Sequence, residues 1–148
     1  MNKKYNNKYY ILRHGEALSN KKEICSCWPE KFRNPLTLKG KQEVKKSAEK
    51  LKIEKIDLIF ASDLLRTRQT AEIVGKELKI KPKFDKRLRE YNVGIFNKKT
   101  IKNFRRFLPI GIKRFKIKPP KGENYNDIKK RISDFFREVD KKYSQKNI

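Results

Sequence analysis

Tyr9-Tyr10-Ile11-Leu12-Arg13-His14-Gly15-Glu16 is the stretch whose reading decides the fold. Four apolar, β-favouring residues run without a break into an arginine, a histidine and a glycine. A short apolar run closed by a turn signal predicts a buried strand over Tyr9–Leu12. That strand delivers Arg13 and His14 at its carboxyl end, and His14 is the only histidine in the 148 residues.

Outward from this strand, the region between Asn20 and Pro35 reads as an irregular loop punctuated by Pro29 and Pro35. Thr37 is predicted to cap a helix reaching about Lys52, with Leu38, Val44, Ala48 and Leu51 as its apolar stripe. Asp57 to Ala61 forms a second apolar, buried strand. Ser62 or Asp63 is then predicted to cap a helix carrying Leu65, Ala71, Val74 and Leu78. A short third strand is read at Lys83 to Asp85. The clearest helix is expected to open at Asn126 or Asp127, with Ile128, Ile132, Phe135, Phe136, Val139 and Tyr143 on one face.

Strands alternating with helices predict an α/β three-layer sandwich, a mostly parallel sheet flanked by helices. Such sheets bind ligands beyond the carboxyl ends of their strands. Both early strands end in residues suited to an anion: Arg13-His14 after the first, and Ser62-Asp63 after the second, with Arg66 about one helical turn further on. The length suits one domain, 1–148, with a real core.

Basic residues outnumber acidic ones by 41 to 17, a formal charge of +24. They are mostly lysine and are spread from end to end, which reads as a lysine-rich composition more than as one interface. The charge still assists the approach of anionic substrates. No apolar run nears the roughly 20 residues of a membrane span. The polar segment from Met1 to Lys8 precedes an apolar stretch too short for a secretory signal, so a cytoplasmic location and no membrane partner are expected. Cys25 and Cys27 lie too close together for an unstrained disulfide. With one histidine there is no zinc set, so both are expected as reduced thiols and no metal is expected.

Cleaving a phosphate monoester requires that its dianion be neutralised, which arginine's planar fork does bidentately. It requires a nucleophile that is effective at neutral pH, as neutral imidazole is. It also requires an acid for the leaving oxygen that later serves as a base for water. Arg13, Arg66, His14 and Glu90 are of these types.

Around these residues the sequence resembles the histidine phosphatase superfamily, also called phosphoglycerate mutase-like. Five stretches look like that family's motifs, in its order: Arg13 to Asn20 (RHGEALSN), Asn34 to Val44 (NPLTLKGKQEV), Ala61 to Val74 (ASDLLRTRQTAEIV), Leu88 to Gly94 (LREYNVG) and Pro119 to Phe136 (PPKGENYNDIKKRISDFF). The resemblance implies a phosphoglycerate mutase-like fold and a phosphohistidine on His14. It further implies a phosphoryl clamp from Arg13 and Arg66, an edge donor in Asn20, a substrate contact from Ser26, and Glu90 as proton donor. It implies no metal and no organic cofactor, with a phosphorylated small molecule as partner. Glu123 is expected to support a loop. Asn124 stands where the family pattern has serine.

The family pattern also includes a second histidine, in a strand followed by His-Gly near the C-terminus, which contacts the same phosphoryl group. This chain has no second histidine, and Ser144 to Ile148 read as the approach to that strand. On this reading the sheet lacks the C-terminal strand, an inner one beside the strand carrying His14. Ladder groups and apolar surface are then exposed, and the site lacks one donor. The mutase branch's substrate contacts after Glu90 are not recognisable, and Phe96-Asn97-Lys98 replaces a Trp-Glu-Gly turn. A phosphatase is therefore expected ahead of a mutase, with a catalytically impaired phosphate-binding remnant as the alternative.

Ile101 to Lys118 mixes Phe104, Phe107 and Phe115 with Arg105, Arg106, Lys113, Arg114 and Lys116. It reads as an amphipathic helix and loop with solvated charges, as a lid over the substrate, or as a surface that stacks single-stranded nucleic acid. Nucleic acid is not the expected partner, since it leaves the five ordered motifs unexplained.

Overall fold

The computed structural model describes residues 5–148, so the first four residues of the polar N-terminal segment lie outside the described residues. In chain order the elements are α1 (Leu18–Lys21), α2 (Leu38–Leu51), β1 (Phe60–Ala61), α3 (Leu65–Leu78), β2 (Lys83–Phe84), α4 (Ile101–Phe107), α5 (Lys113–Lys116) and α6 (Tyr125–Lys142). The architecture is α/β, as the alternation requires. β1 and β2 pair in parallel, with Phe60 opposite Lys83 and Ala61 opposite Phe84.

Alternation along β1 builds the layers. Ile59 packs on one face with Val44 and Ala48 of α2 and Val74 of α3. Phe60 turns to the other face, where its ring meets Phe135 of α6 edge-on at 5.3 Å. Phe136, next along α6, packs edge-on against Tyr9 at 4.9 Å. A second cluster of Cys25, Cys27, Tyr91, Val93, Phe96, Phe104 and Leu108 lies under α4 and holds the 25–27 loop. Both thiols are free and buried, and burial pushes their pKa values up.

Three local predictions are corrected. The 9–12 run is extended, but only its start is paired: Lys8 bridges Asn147 in parallel, and the Tyr10 N–H donates to the Ile148 carbonyl at 2.7 Å. Ile11 is 90% exposed and Leu12 43%. Apolar character gives a strand its tendency to be buried, but burial needs a neighbouring element, and next to these two residues lies a cavity.

The cap of α3 is neither Ser62 nor Asp63. The Glu30 carboxylate accepts the Leu65 N–H at 3.1 Å from across the loop, while Asp63 is committed to Arg89. The last helix opens earlier than predicted, at Asn124. Asn124 and Asp127 exchange backbone and side-chain bonds in a capping box that outcompetes a start two or three residues later. Thr37 does cap α2, accepting the Gly40 N–H at 3.0 Å.

Residues 146–148 are extended and lie between two other segments. They bond to Lys8 and Tyr10 on one side, and Asn147 accepts from the Asp57 N–H on the other at 2.8 Å. The approach read at the end of the chain therefore runs between the 8–10 segment and Asp57, outside the two-stranded β1–β2 sheet. The β1–β2 register is made by groups of Ile59 and Ala61, which leaves the N–H and C=O of Phe60 on the opposite edge. There a cavity of about 370 Å³ opens, lined by Ile11, Leu12, Leu58, Phe60 and Ile148 among others, with His14 also on its wall. Its lining is largely apolar, and Ile11 and Leu12 on it are exposed.

Candidate active site

The loop leaving the first extended segment is fixed by backbone contact with α2. A Cβ on Gly15 would lie 2.3 Å from the Gly40 carbonyl oxygen, so the two chains meet at a distance that only glycine permits. The Thr37 N–H donates to the Glu16 carbonyl at 2.9 Å and ties the helix start to the same loop. His14 is thereby held half-buried on rigid elements.

Its tautomer follows from one bond. Nδ1 lies 2.8 Å from the Gly15 carbonyl, which can only accept, so Nδ1 carries the proton and Nε2 keeps its lone pair. Burial is the main reason the imidazole pKa falls below 6.5. Arg66 and Arg13 also lower it, while the Gly15 carbonyl and Glu90 act in the opposite sense. The ring is therefore neutral near pH 7.

Arg66 projects from the first turn of α3 and is only 2% exposed. Its Nε donates to His14 Nε2 at 3.1 Å, one terminal nitrogen to the Ser26 hydroxyl at 3.3 Å, and the other to the Ser26 carbonyl at 3.2 Å. All three acceptors are neutral. Among the described residues no carboxylate comes within salt-bridge distance, although Arg87, Arg89 and Arg131 each have one. Burial depresses the Arg66 pKa, opposed by Glu90 and Glu30. A buried cation with no counter-charge is costly unless an anion completes it.

Arg13, one residue before His14, is exposed and forms no salt bridge among the described residues. Asn20 is half-buried in α1, where its Oδ1 accepts the Ala17 N–H at 2.8 Å, so part of its side chain shapes the loop. Glu90 is exposed, with one carboxylate oxygen accepting its neighbour Tyr91's N–H at 2.9 Å, and its charge acts on both His14 and Arg66. The structure brings His14, Arg66 and Ser26 into direct contact. Arg13 and Glu90 flank them.

Arg131 and Thr70, which drew no expectation from the sequence, hold the site in place together with Glu123, which supports a loop as expected. Arg131 of α6 pairs with Glu123 at 2.9 Å and donates to the carbonyls of Arg87 and Glu90. Glu123 in turn accepts the Asn92 N–H at 3.0 Å, so the two residues brace the segment bearing Glu90 from both ends. Their spacing, eight positions spanning a helix start, was the available signal. Thr70 accepts the Gly15 N–H at 3.4 Å and donates to the Arg66 carbonyl, linking loop and helix. Arg89, one residue before Glu90, donates to Asp63 and stacks 3.9 Å over the Trp28 ring, a pairing nothing in the local sequence announced.

The depressed His14 pKa has a measurable consequence. An imidazole is nucleophilic only when neutral, so a reaction carried by His14 should show the acid limb of its kcat/KM below pH 6.5, not at it. Stability should follow. The unfolded chain takes up the proton first, so folding free energy is complete above 6.5 and falls as pH drops from there through the lower folded value. Comparing melting temperatures of the wild type and His14→Gln across this window isolates the effect, because the variant should lose part of the slope.

An α/β chain that gathers a neutral histidine and an uncompensated buried arginine at its strand ends has the make-up of a phosphate-handling protein. The chain belongs to the histidine phosphatase superfamily (branch 1), whose family model matches residues 9–148. It is 35% identical over 131 residues to a protein of Escherichia coli O139:H28 described as probable phosphoglycerate mutase GpmB, covering 84% of this chain and 59% of that one. The chain thus spans somewhat under two thirds of the length of this curated relative. Among solved structures it resembles Bacillus stearothermophilus YhfR, with a TM-score of 0.82 and 27% identity over 96% of this chain and 71% of that one. It shares its fold with the mycobacterial glucosyl-3-phosphoglycerate phosphatase Rv2419c solved with VO3, at a TM-score of 0.74 and 23% identity, covering 90% of this chain and 62% of that one. Among the described residues no helix is long and apolar enough to cross a membrane.

Proposed function

We propose that the chain hydrolyses small phosphate monoesters without a metal, through a phosphohistidine on His14. The observation that carries this reading is Arg66: a buried guanidinium, without a carboxylate, hydrogen-bonded to the nucleophilic nitrogen of His14. A phosphoryl dianion is the ligand that neutralises it and simultaneously brings phosphorus to Nε2.

In the first step Arg66 redirects its Nε–H hydrogen bond from His14 Nε2 to a phosphoryl oxygen, keeping its proton, and Arg13 closes from the solvent side. Nε2 attacks phosphorus and forms a P–N bond. The P–O bond to the alcohol breaks, and the Glu90 carboxylic acid gives its proton to the leaving oxygen. In the second step water attacks phosphorus, Glu90 as carboxylate takes the proton, the P–N bond breaks and inorganic phosphate departs. Nδ1–H stays on the Gly15 carbonyl throughout, stabilising the charge that the ring acquires. Asn20 contributes a donor at the pocket edge, and Ser26 holds Arg66 at the right height.

Glu90→Gln tests the acid. An alkyl phosphate, whose leaving group needs a proton, should lose kcat/KM by on the order of 10²–10⁴. p-Nitrophenyl phosphate, whose leaving group departs as a stable anion, should lose much less. Equal losses on both would remove Glu90 from this role. The reading as a whole is tested by p-nitrophenyl phosphate turnover in the presence of EDTA, which metal-independent hydrolysis survives.

A second reading is a phosphate-binding protein with little turnover. It is favoured by the Glu90 carboxylate, one oxygen of which is taken up by the Tyr91 N–H. It predicts that inorganic phosphate raises the melting temperature while no nitrophenol is released.

A further inference from the structure

The segment between α4 and α6 is built unlike the rest of the surface. Over residues 105–118 there are six basic residues and no acidic one. Ile110 and Ile112 stand 70% and 84% exposed on either side of Gly111. Gly111 has a φ of 136°, and a Cβ built on it meets nothing within 4 Å, so the turn projects into open space.

The turn is not loose. The buried Arg114 guanidinium donates to the carbonyls of Leu108 and Pro109 at 2.9 and 3.1 Å and to the Tyr125 hydroxyl at 3.3 Å, with Phe104 4.9 Å beneath it. One cation is thus spent on the carbonyls behind the turn, and two isoleucines are presented on a braced tip. Arg105 and Arg106 on α4, with Lys113 and Lys116 on α5, are exposed around it and form no salt bridge among the described residues.

We propose that this tip docks on an anionic lipid surface, with Ile110 and Ile112 entering the headgroup boundary and the four flanking cations on lipid phosphates. Branched aliphatics on a turn gain by leaving water for acyl chains, and nearby cations are drawn to a negative leaflet. Single-stranded nucleic acid needs free aromatic faces for stacking. Here Phe107 and Phe115, 47% and 43% exposed, each rest against a neighbouring ring, Phe96 at 4.9 Å and Tyr125 at 5.3 Å, while Ile110 and Ile112 stand further out at 70% and 84%. Charge complementarity with aliphatic tips selects the lipid.

Co-sedimentation with vesicles tests this. The protein should pellet with phosphatidylcholine vesicles containing phosphatidylglycerol and not with phosphatidylcholine alone. Each surface cation contributes roughly fivefold to partitioning, so K113E/K116E should weaken binding by about 25-fold or more. I110E/I112E should weaken it at least about tenfold. Reversing two lysines elsewhere, K45E/K46E on α2, should change it little. Melting temperatures confirm that the variants fold, and turnover of a soluble aryl phosphate should be unchanged in all three. The proposal is overturned by an absence of vesicle binding, by equal loss in K45E/K46E, or by indifference to I110E/I112E. It is equally overturned if the tip variants abolish oligonucleotide binding and leave vesicle binding intact.

Discussion

His14→Ala is expected to lower turnover of aryl phosphates by about a thousandfold or more, the scale seen when a covalent nucleophile is removed. The alanine variant also takes away the acceptor of Arg66 Nε, so part of any effect could come from a displaced guanidinium. His14→Asn separates the two: its amide oxygen can accept that N–H, yet it cannot form a stable phosphoryl adduct. Both variants should fail to turn over, and both should still bind inorganic phosphate through Arg13 and Arg66. Brief reaction with radiolabelled phosphate ester, quenched in alkali to protect a P–N bond, should label the wild type and neither variant. Turnover surviving in either variant would sink the phosphohistidine.

Arg66→Met is the second large effect, and it runs in opposite directions for activity and stability. Methionine has similar length and no charge. Replacing a buried, uncompensated cation with it removes a desolvation cost, while the Ser26 hydroxyl, the Ser26 carbonyl and His14 Nε2 each lose a donor at about 1 kcal/mol. The balance is expected near zero to about 1 kcal/mol in favour of the variant, a rise of up to roughly 4 °C in melting temperature. Without the clamp, kcat/KM should fall on the order of 10²–10³-fold. Inorganic phosphate should raise the melting temperature of the wild type and leave that of Arg66→Met unchanged. A variant that keeps its phosphate response would show that Arg66 is not the anion site. One that melts far lower would show that its hydrogen bonds outweigh its unpaired charge.

These expectations rest on residues of different legibility. That His14 and Arg66 come together was legible because one follows the apolar 9–12 run and the other opens the helix after β1, the end at which a parallel sheet gathers such side chains. α2 was readable from Thr37 and its stripe. Cys25 and Cys27 were correctly read as free, partly because two neighbours cannot bridge easily. The cap of α3 was not readable. Two good capping residues stood in place, but Asp63 was claimed by Arg89 and the N–H by Glu30, both distant in sequence. Arg131 looked like one more surface charge on a helix until Glu123 and the carbonyls of Arg87 and Glu90 closed around it.

The same division holds for the chain as a whole. The sequence by itself determined the alternation of strand and helix, the chemistry available at the first two strand ends, and membership of a phosphate-handling family. These depend on residues close together in the chain, where periodicity and turn chemistry act. Tertiary structure alone decided that Arg66 is buried without a counter-charge, that Nδ1 of His14 holds the proton, and that Ile11 and Leu12 face a cavity instead of a core. Each depends on what does or does not arrive from far along the chain. Burial, desolvation and hydrogen-bond partnership belong to pairs of groups, and only the fold determines which pairs form.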